Sequence, residues 1–273
     1  MTGSDDGMRT ALVTGASSGI GKAVAARLVA DGFRVLGTSR RPESIPDDAR
    51  VAGVEYLALD LTDDASIAAC VEAAGAVDVL VNNAGESQSG PLEEVPSDAI
   101  QRLFQLNVFG AVRLTQLVLP GMRDRGYGRV VMVGSMLASF PVAYRSTYCA
   151  SKAAIKAFAM SARPEATPYG VWLTTVEPGS IATGIGERRT KYLAEGSPYA
   201  DECTTVIREL DRKERAGIGA DQVAATVVDA ITADRPKPLY AVGSNAPVVF
   251  ALRRLVPRGI LEKVVNRQFG LHR

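Results

Sequence analysis

The stretch ALVTGASSGIGKAVAARLVADG (11–32) decides the fold. Its first five residues, ALVTG (11–15), form a short apolar run that reads as a buried strand. The run GIGKAVAARLVADG (19–32) repeats its apolar residues at spacings of three and four, the mark of a helix. Between them, TGASSGIG (14–21) places Gly15, Gly19 and Gly21 in a strand-to-helix turn. Glycines permit a tight turn and let backbone approach a pyrophosphate, while the helix N-terminus offers free N–H groups and a positive dipole end. A tight turn with no ligand is the plainer reading. The spacing G-xxx-G-x-G is not the G-x-G-x-x-G fingerprint. Gly15, Ser17 and Gly19 also spell G-x-S-x-G, the nucleophile elbow of hydrolases. That elbow needs a histidine base, and the one histidine is His272, next to the last residue. The hydrolase reading is set aside.

Working outward, strand-like runs recur at FRVLGTSR (33–40), VEYLALDL (54–61), DVLVNNAG (78–85), GRVVMVGS (128–135), VWLTTVEPG (171–179) and PLYAVG (238–243). Helical patterns separate the later runs, from about Asp98 to Met122, Arg145 to Thr167 and Asp221 to Asp234. Such alternation predicts an α/β fold, a Rossmann-type doubly wound sheet of about seven parallel strands with helices on both faces. Ligands of such sheets bind beyond the carboxyl ends of the strands. No repeat or linker divides the chain, so residues 1–273 are expected to form a single domain. Residues 180–217 are charged, show little apolar periodicity and are expected to be a substrate lid. Residues 244–273 form a C-terminal extension, amphipathic, with Arg253 and Arg254. It could cover the cleft, pack on another subunit or rest on a membrane; a packing helix is the favoured expectation.

Composition removes several classes of function. Lys and Arg number 31 against 30 Asp and Glu, so neither nucleic acid nor an anionic membrane is expected as a partner from overall charge. With a single histidine, a His-based triad or multi-His metal site is not expected. Cys70, Cys149 and Cys203 are scattered and form no CxxC, which suits a reducing compartment. The polar, acidic N-terminus lacks a signal-peptide pattern, and no run of 18 apolar residues occurs. A cytoplasmic location without an integral membrane segment is expected.

The second strand ends in Thr38, Ser39, Arg40 and Arg41, where many NAD sites carry a carboxylate for the ribose 2′-OH. An arginine there can instead pair with a 2′-phosphate. NADP(H) is therefore expected as the preferred cofactor, with NAD(H) possible. Tyr148 and Lys152 lie four apart in YCASK (148–152), on one helix face. An unperturbed tyrosine, with pKa about 10, is a poor acid-base group near neutrality. A nearby ammonium favours the phenolate and lowers that pKa. Ser135, 13 residues before Tyr148, ends the preceding strand and points toward the same crevice. Tyr and Lys sharing an exposed helix face is the plainer reading of YxxxK alone.

Taken together and in order, TGASSGIG, Asp60, NNAG (82–85), Asn107, Ser135, YCASK and PGSIAT (178–183) resemble the short-chain dehydrogenase/reductase family over residues 9 to about 243. The resemblance implies an oxidoreductase interconverting a ketone or aldehyde and an alcohol. It implies that Gly15, Ser17, Ser18, Gly19, Ile20 and Gly21 wrap the pyrophosphate, and that Ser39 and Arg40 meet the ribose. Asp60 and Leu61 would border the adenine, and Asn82, Ala84 and Gly85 the adenosine side. Pro178, Gly179, Ile181 and Thr183 would border the nicotinamide. Ser135 would bind the substrate oxygen, Tyr148 would exchange its proton, and Lys152 would hold the nicotinamide ribose and lower the Tyr148 pKa. Asn107 would support a water in the proton relay. Members are typically homodimers or homotetramers packed through the two long helices. Pro164 departs from the usual pattern and is expected to bend or shorten the catalytic helix. The longer C-terminus is similar to the tails of relatives acting on lipophilic alcohols. Apolar residues at Met136, Leu137, Phe140, Val142 and Tyr144 point to a lipophilic substrate. Two other readings stand beside this one. One is an NADP(H)-binding sensor without relevant turnover. The other is a nicotinamide enzyme with no net redox change, whose relatives more often show T-G-x-x-G-x-x-G and a longer chain.

Overall fold

The computed structural model describes residues 7–253 and 255–271. Met1–Asp6, Arg254 and His272 of the sequence reading lie outside the described residues.

Nine strands and nine helices are described. The strands are β1 (Thr10–Val13), β2 (Arg34–Ser39), β3 (Val54–Ala58), β4 (Val79–Asn82), β5 (Gln88–Ser89), β6 (Gly128–Val133), β7 (Val171–Pro178), β8 (Thr190–Lys191) and β9 (Leu239–Val242). The helices are α1 (Gly19–Ala30), α2 (Asp64–Ala74), α3 (Ser97–Phe104), α4 (Gly110–Asp124), α5 (Ser146–Ala166), α6 (Ala200–Arg215), α7 (Ala220–Thr232), α8 (Ala246–Leu252) and α9 (Arg258–Gln268). Seven strands make one parallel sheet in the order β3-β2-β1-β4-β6-β7-β9, as the alternation predicts.

Successive strand residues point to opposite faces, and this sorts the core into two layers. Leu36, Leu12, Leu80, Val130 and Leu173 stand in register across β2, β1, β4, β6 and β7. They pack against α2, α4 and α5 through Ile67, Leu114, Met122 and Ile155. The intervening residues, Val13, Val35, Val81, Val131 and Val176, face α1 and α7 through Val24, Leu28, Val223 and Val227. Each fully buried Leu or Val contributes about 1.5–3 kcal/mol. Covering both faces with helices is what lets strands be apolar at every position.

From β1 the chain winds to β2 and β3, then returns to β4 and winds the other way. A crevice therefore opens above the carboxyl ends of β1 and β4. Thr14, fully buried, spans this switch point. Its Oγ1 accepts from the backbone N–H of Asn83 and of Ala84, each at 2.9 Å.

Four expectations change. The helix expected from Asp98 to Met122 is divided by a π turn, Gln105–Phe109, into α3 and α4. Helix α4 begins at Gly110, where a Cβ would lie 2.2 Å from the Leu61 carbonyl oxygen, so only glycine admits that approach. Pro164 does not end α5, which runs to Ala166. It falls in the last turn, and Arg163 clamps that end by donating to the Leu173 carbonyl at 2.6 Å and to the Pro236 carbonyl. The 180–217 segment, where the sequence shows little apolar periodicity, holds regular structure. It contains β8, paired with β5, and α6, whose Cys203, Val206, Ile207 and Leu210 are buried. That i, i+3, i+4, i+7 stripe was in the sequence, masked by the surrounding charge. Finally, the C-terminal extension is two helices rather than one.

Candidate active site

Gly15 and Gly19 adopt φ of 68° and 55°, the left-handed region that glycine enters freely. Gly21 is needed for another reason. A Cβ there would meet the Gly15 carbonyl oxygen and Asn83 Nδ2, each at 2.4 Å. Asn83 Nδ2 donates to the Thr14 carbonyl at 2.8 Å, fastening the β4 loop to the turn. Ser18, at the N-cap of α1, makes no side-chain capping bond. The helix end thus keeps N–H groups available to an anion.

A compartment of about 530 Å³ lies over this turn. Gly15, Ser17, Ser18, Gly19, Ile20, Ser39, Arg40, Asp60, Leu61, Ala84, Gly85, Tyr148, Lys152 and Thr183 all line it. Gly21 lies beneath the turn. Asn82 turns away from the compartment, its Nδ2 donating to Thr115 Oγ1 at 3.0 Å. Asp60 Oδ1 accepts from the Thr62 hydroxyl at 2.7 Å and its backbone N–H at 2.8 Å. These bonds hold its carboxyl below the usual range, with Arg40 and Arg102 adding to the effect. Arg102 also ion-pairs with Glu86, and both line the compartment. Sequence reasoning missed this pair, because its partners are 16 residues apart on different elements.

Tyr148 and Lys152 stand one turn apart on α5, both buried. Ser135, just past β6, is near enough to Tyr148 to pull the phenol pKa down. Its Oγ also accepts the Leu137 N–H at 3.1 Å. Lys152 Nζ donates to the Val133 carbonyl at 2.9 Å, and burial pushes its pKa down to about 8. Asn107, in the π turn, clasps the backbone of Glu86. Its Oδ1 accepts from Glu86 N at 2.8 Å, and its Nδ2 donates to the Glu86 carbonyl at 3.0 Å and to Ser151 Oγ at 3.2 Å. A π turn is often found at functional sites, because the extra residue re-aims the side chains around it.

The cation nearest the tyrosine ring is not Lys152, whose Nζ is 5.9 Å from its centre. Arg145 is closer, at 4.2 Å. Tyr144 takes φ of 61° just before α5, and Arg145 then turns inward. Arg145 Nη1 donates to Ser87 Oγ at 3.0 Å, the Gln88 carbonyl at 2.6 Å and Ser89 Oγ at 3.0 Å. Burial lowers the guanidinium to about 10, still charged at neutral pH. Burial also raises the Tyr148 phenol above its ordinary value, and Arg145 is the largest influence in the other direction, followed by Ser135. The sequence reading assigned that acidifying part to Lys152 alone.

A second compartment, about 760 Å³, adjoins the first. The two share Ile20, Ser87, Tyr148, Thr183 and Ile185. Ser135, Pro178, Gly179 and Ile181 line only the second. Its remaining wall is largely apolar: Met136, Leu137, Phe140 and Val142, with Leu210 from α6 and Val249, Leu261, Val265 and Phe269 from the C-terminal helices. The extension therefore covers the cleft, one of the three placements the sequence left open. Arg189, fully buried, fixes the adjoining wall by pairing with Asp211 and Glu214 of α6, each at 2.5 Å.

Comparison with known proteins agrees with this architecture. Residues 9–193 match the family described as short chain dehydrogenase. The NADPH-dependent 3-dehydrocapnine reductase of Ornithobacterium rhinotracheale is 32% identical, over 94% of this chain and 96% of its own length. Retinol dehydrogenase 8 of Bos taurus is 32% identical, over 94% and 88%. A crystal structure of a short-chain dehydrogenase from Streptomyces avermitilis superposes with a TM-score of 0.80 at 34% identity, covering 98% of this chain and 99% of that one. The chain belongs to the short-chain dehydrogenase/reductase family. It is an oxidoreductase acting on the alcohol/carbonyl pair.

Proposed function

We propose that the protein is an NADP(H)-dependent oxidoreductase interconverting a lipophilic ketone or aldehyde and its alcohol, with Tyr148 as general acid/base. The observation that carries this reading is the position of Tyr148, which lines both the polar compartment over the glycine turn and the apolar one beyond it. The first compartment fits a dinucleotide: glycines where a Cβ would clash, an uncapped helix end, and Arg40 with Ser39 at the far end. When bound there, the nicotinamide supplies or takes the hydride. Gly15 to Gly21 bind the pyrophosphate, and Ser39 and Arg40 the 2′-phosphate. Lys152 holds the nicotinamide ribose, with Pro178, Gly179, Ile181 and Thr183 around the ring. In reduction, Ser135 holds the substrate oxygen and Tyr148 donates its proton to it. In oxidation, the Tyr148 phenolate accepts that proton, stabilised by Arg145 and Ser135. The raised phenol pKa keeps the hydroxyl protonated at neutral pH, the form that donates its proton in reduction. The NADPH-dependence named for the relative from Ornithobacterium supports the cofactor preference. The largely apolar second compartment supports a medium or large lipophilic substrate.

The sensor reading is disfavoured by the joint presence of Ser135, Tyr148, Lys152 and Asn107. Exposed Phe109 on the π turn and Phe158 on α5 support self-association through the long helices. The unpaired, buried cysteines support a reducing, cytoplasmic location. The test is consumption of NADPH, with NADH in parallel, across ketones, aldehydes, steroids, quinones and 3-oxoacyl thioesters. Turnover favouring NADPH and apolar carbonyls is the expected result. NADPH binding with no turnover on any of them would favour the sensor.

A further inference from the structure

The C-terminal helices present two different surfaces. Leu261, Val265 and Gln268 of α9 line the apolar compartment. One position away, Ile260 and Val264 are exposed (54% and 45%), with Lys263 and Arg267 exposed beside them. Leu255, in the connection between α8 and α9, is 81% exposed, and Val248 of α8 is 60% exposed. Four large apolar side chains left exposed within 17 residues of chain mark a site of association more than isolated surface residues would. Ile260, Val264 and Val256 also line the compartment. Ile260 and Val264 are thus both exposed on the outside of the protein and part of the compartment's wall.

Charge identifies what this surface meets. Between Ala246 and Leu271 the chain carries five basic residues, Arg253, Arg254, Arg258, Lys263 and Arg267, against one acid, Glu262. The whole chain has a net charge of only +1, so the remainder is acidic on balance. A second copy docked symmetrically on this face would set one basic patch against another. An anionic bilayer complements it, with basic residues at the headgroups and apolar ones below. We propose that α8 and α9 seat the protein on an anionic membrane surface, with the mouth of the apolar compartment facing the lipid. This deepens the lipophilic-substrate reading and rests on it for its purpose, since an apolar substrate would enter from the bilayer without crossing water.

Vesicle flotation of the full chain tests this without using catalysis. Binding is expected to vesicles of phosphatidylcholine and phosphatidylglycerol in equal parts, and to weaken on pure phosphatidylcholine and at high salt. Leu255→Glu, and separately Lys263→Glu with Arg267→Glu, should each weaken binding about tenfold or more. These residues are exposed and line neither compartment, so NADPH affinity and turnover of a small water-soluble ketone should stay at the parent level. That turnover tests the redox reading independently. No binding to anionic vesicles, or binding indifferent to both variants, would overturn the proposal. So would a dimer in sedimentation velocity that Leu255→Glu dissociates in the absence of vesicle binding, which would make the face a protein interface.

Discussion

The guanidinium of Arg145 lies 4.2 Å from the centre of the Tyr148 ring, closer than the ammonium of Lys152. A desolvated cation over an aromatic ring is worth about 2 kcal/mol. Its charge also favours the phenolate, opposing the burial that raises the phenol. Replacing Arg145 with Met should therefore move the acidic limb of the alcohol-oxidation profile upward, because the phenolate that accepts the proton then forms only at higher pH, and Arg145→Lys should recover part of that shift. The pH profile of kcat/KM is the measurement. A loss of activity at an unchanged apparent pKa would assign Arg145 only to holding Ser87, Gln88 and Ser89 in place.

Arg40 lines the far end of the polar compartment, beside Ser39. A charge-assisted bond to phosphate contributes about 1.5–3 kcal/mol. Arg40→Glu is expected to weaken NADPH by roughly tenfold to a hundredfold while leaving NADH affinity within about threefold. Fluorescence titration with the two cofactors decides it. Equal losses would remove Arg40 as the phosphate reader.

Lys152 is buried, and its folded-state pKa of about 8 lies below the ordinary 10.5. Below the folded value it is charged in both states, and burying that charge costs stability. Between about 8 and 10.5 the unfolded chain binds the extra proton, so unfolding becomes harder as pH rises. The cofactor-free protein should gain about 1–3 kcal/mol from pH 8 to 10 through this group. Above pH 10, ionisation of the raised Tyr148 works in the opposite direction. Urea unfolding of wild type and Lys152→Met across that window tests the point. The same rise in the variant would rule out Lys152 as its source.

The sheet was legible because each strand is an apolar run closed by glycine or polar residues, and burial on both faces leaves just that trace. The helix α6 was not, because Asp201, Glu202, Arg208, Glu209 and the basic residues after Leu210 hide a narrow apolar stripe. The π turn was invisible, since Gln105–Phe109 reads as ordinary helix, and the close approach of Gly110 to Leu61 just after it joins residues 49 positions apart. At the site, residues within one motif could be grouped from spacing. Arg145 could not be assigned, although it lies three positions before Tyr148. Its inward course depends on the left-handed Tyr144 and on acceptors in the 87–89 loop, distant in sequence. Asn82 shows the reverse: grouped with the cofactor residues by its motif, it bonds Thr115 beneath the sheet end, and Asn83 lines the compartment instead.

The central claim is that the Tyr148 hydroxyl moves the proton. Steady-state turnover of the best carbonyl substrate by Tyr148→Phe, with NADPH affinity measured on the same preparation, tests it most directly. General acid catalysis by a placed side chain is worth about 100- to 10,000-fold. The expected result is a loss of kcat of that size or more with NADPH affinity unchanged, because the ring and Lys152 remain. Turnover by Tyr148→Phe at the wild-type rate would contradict the account.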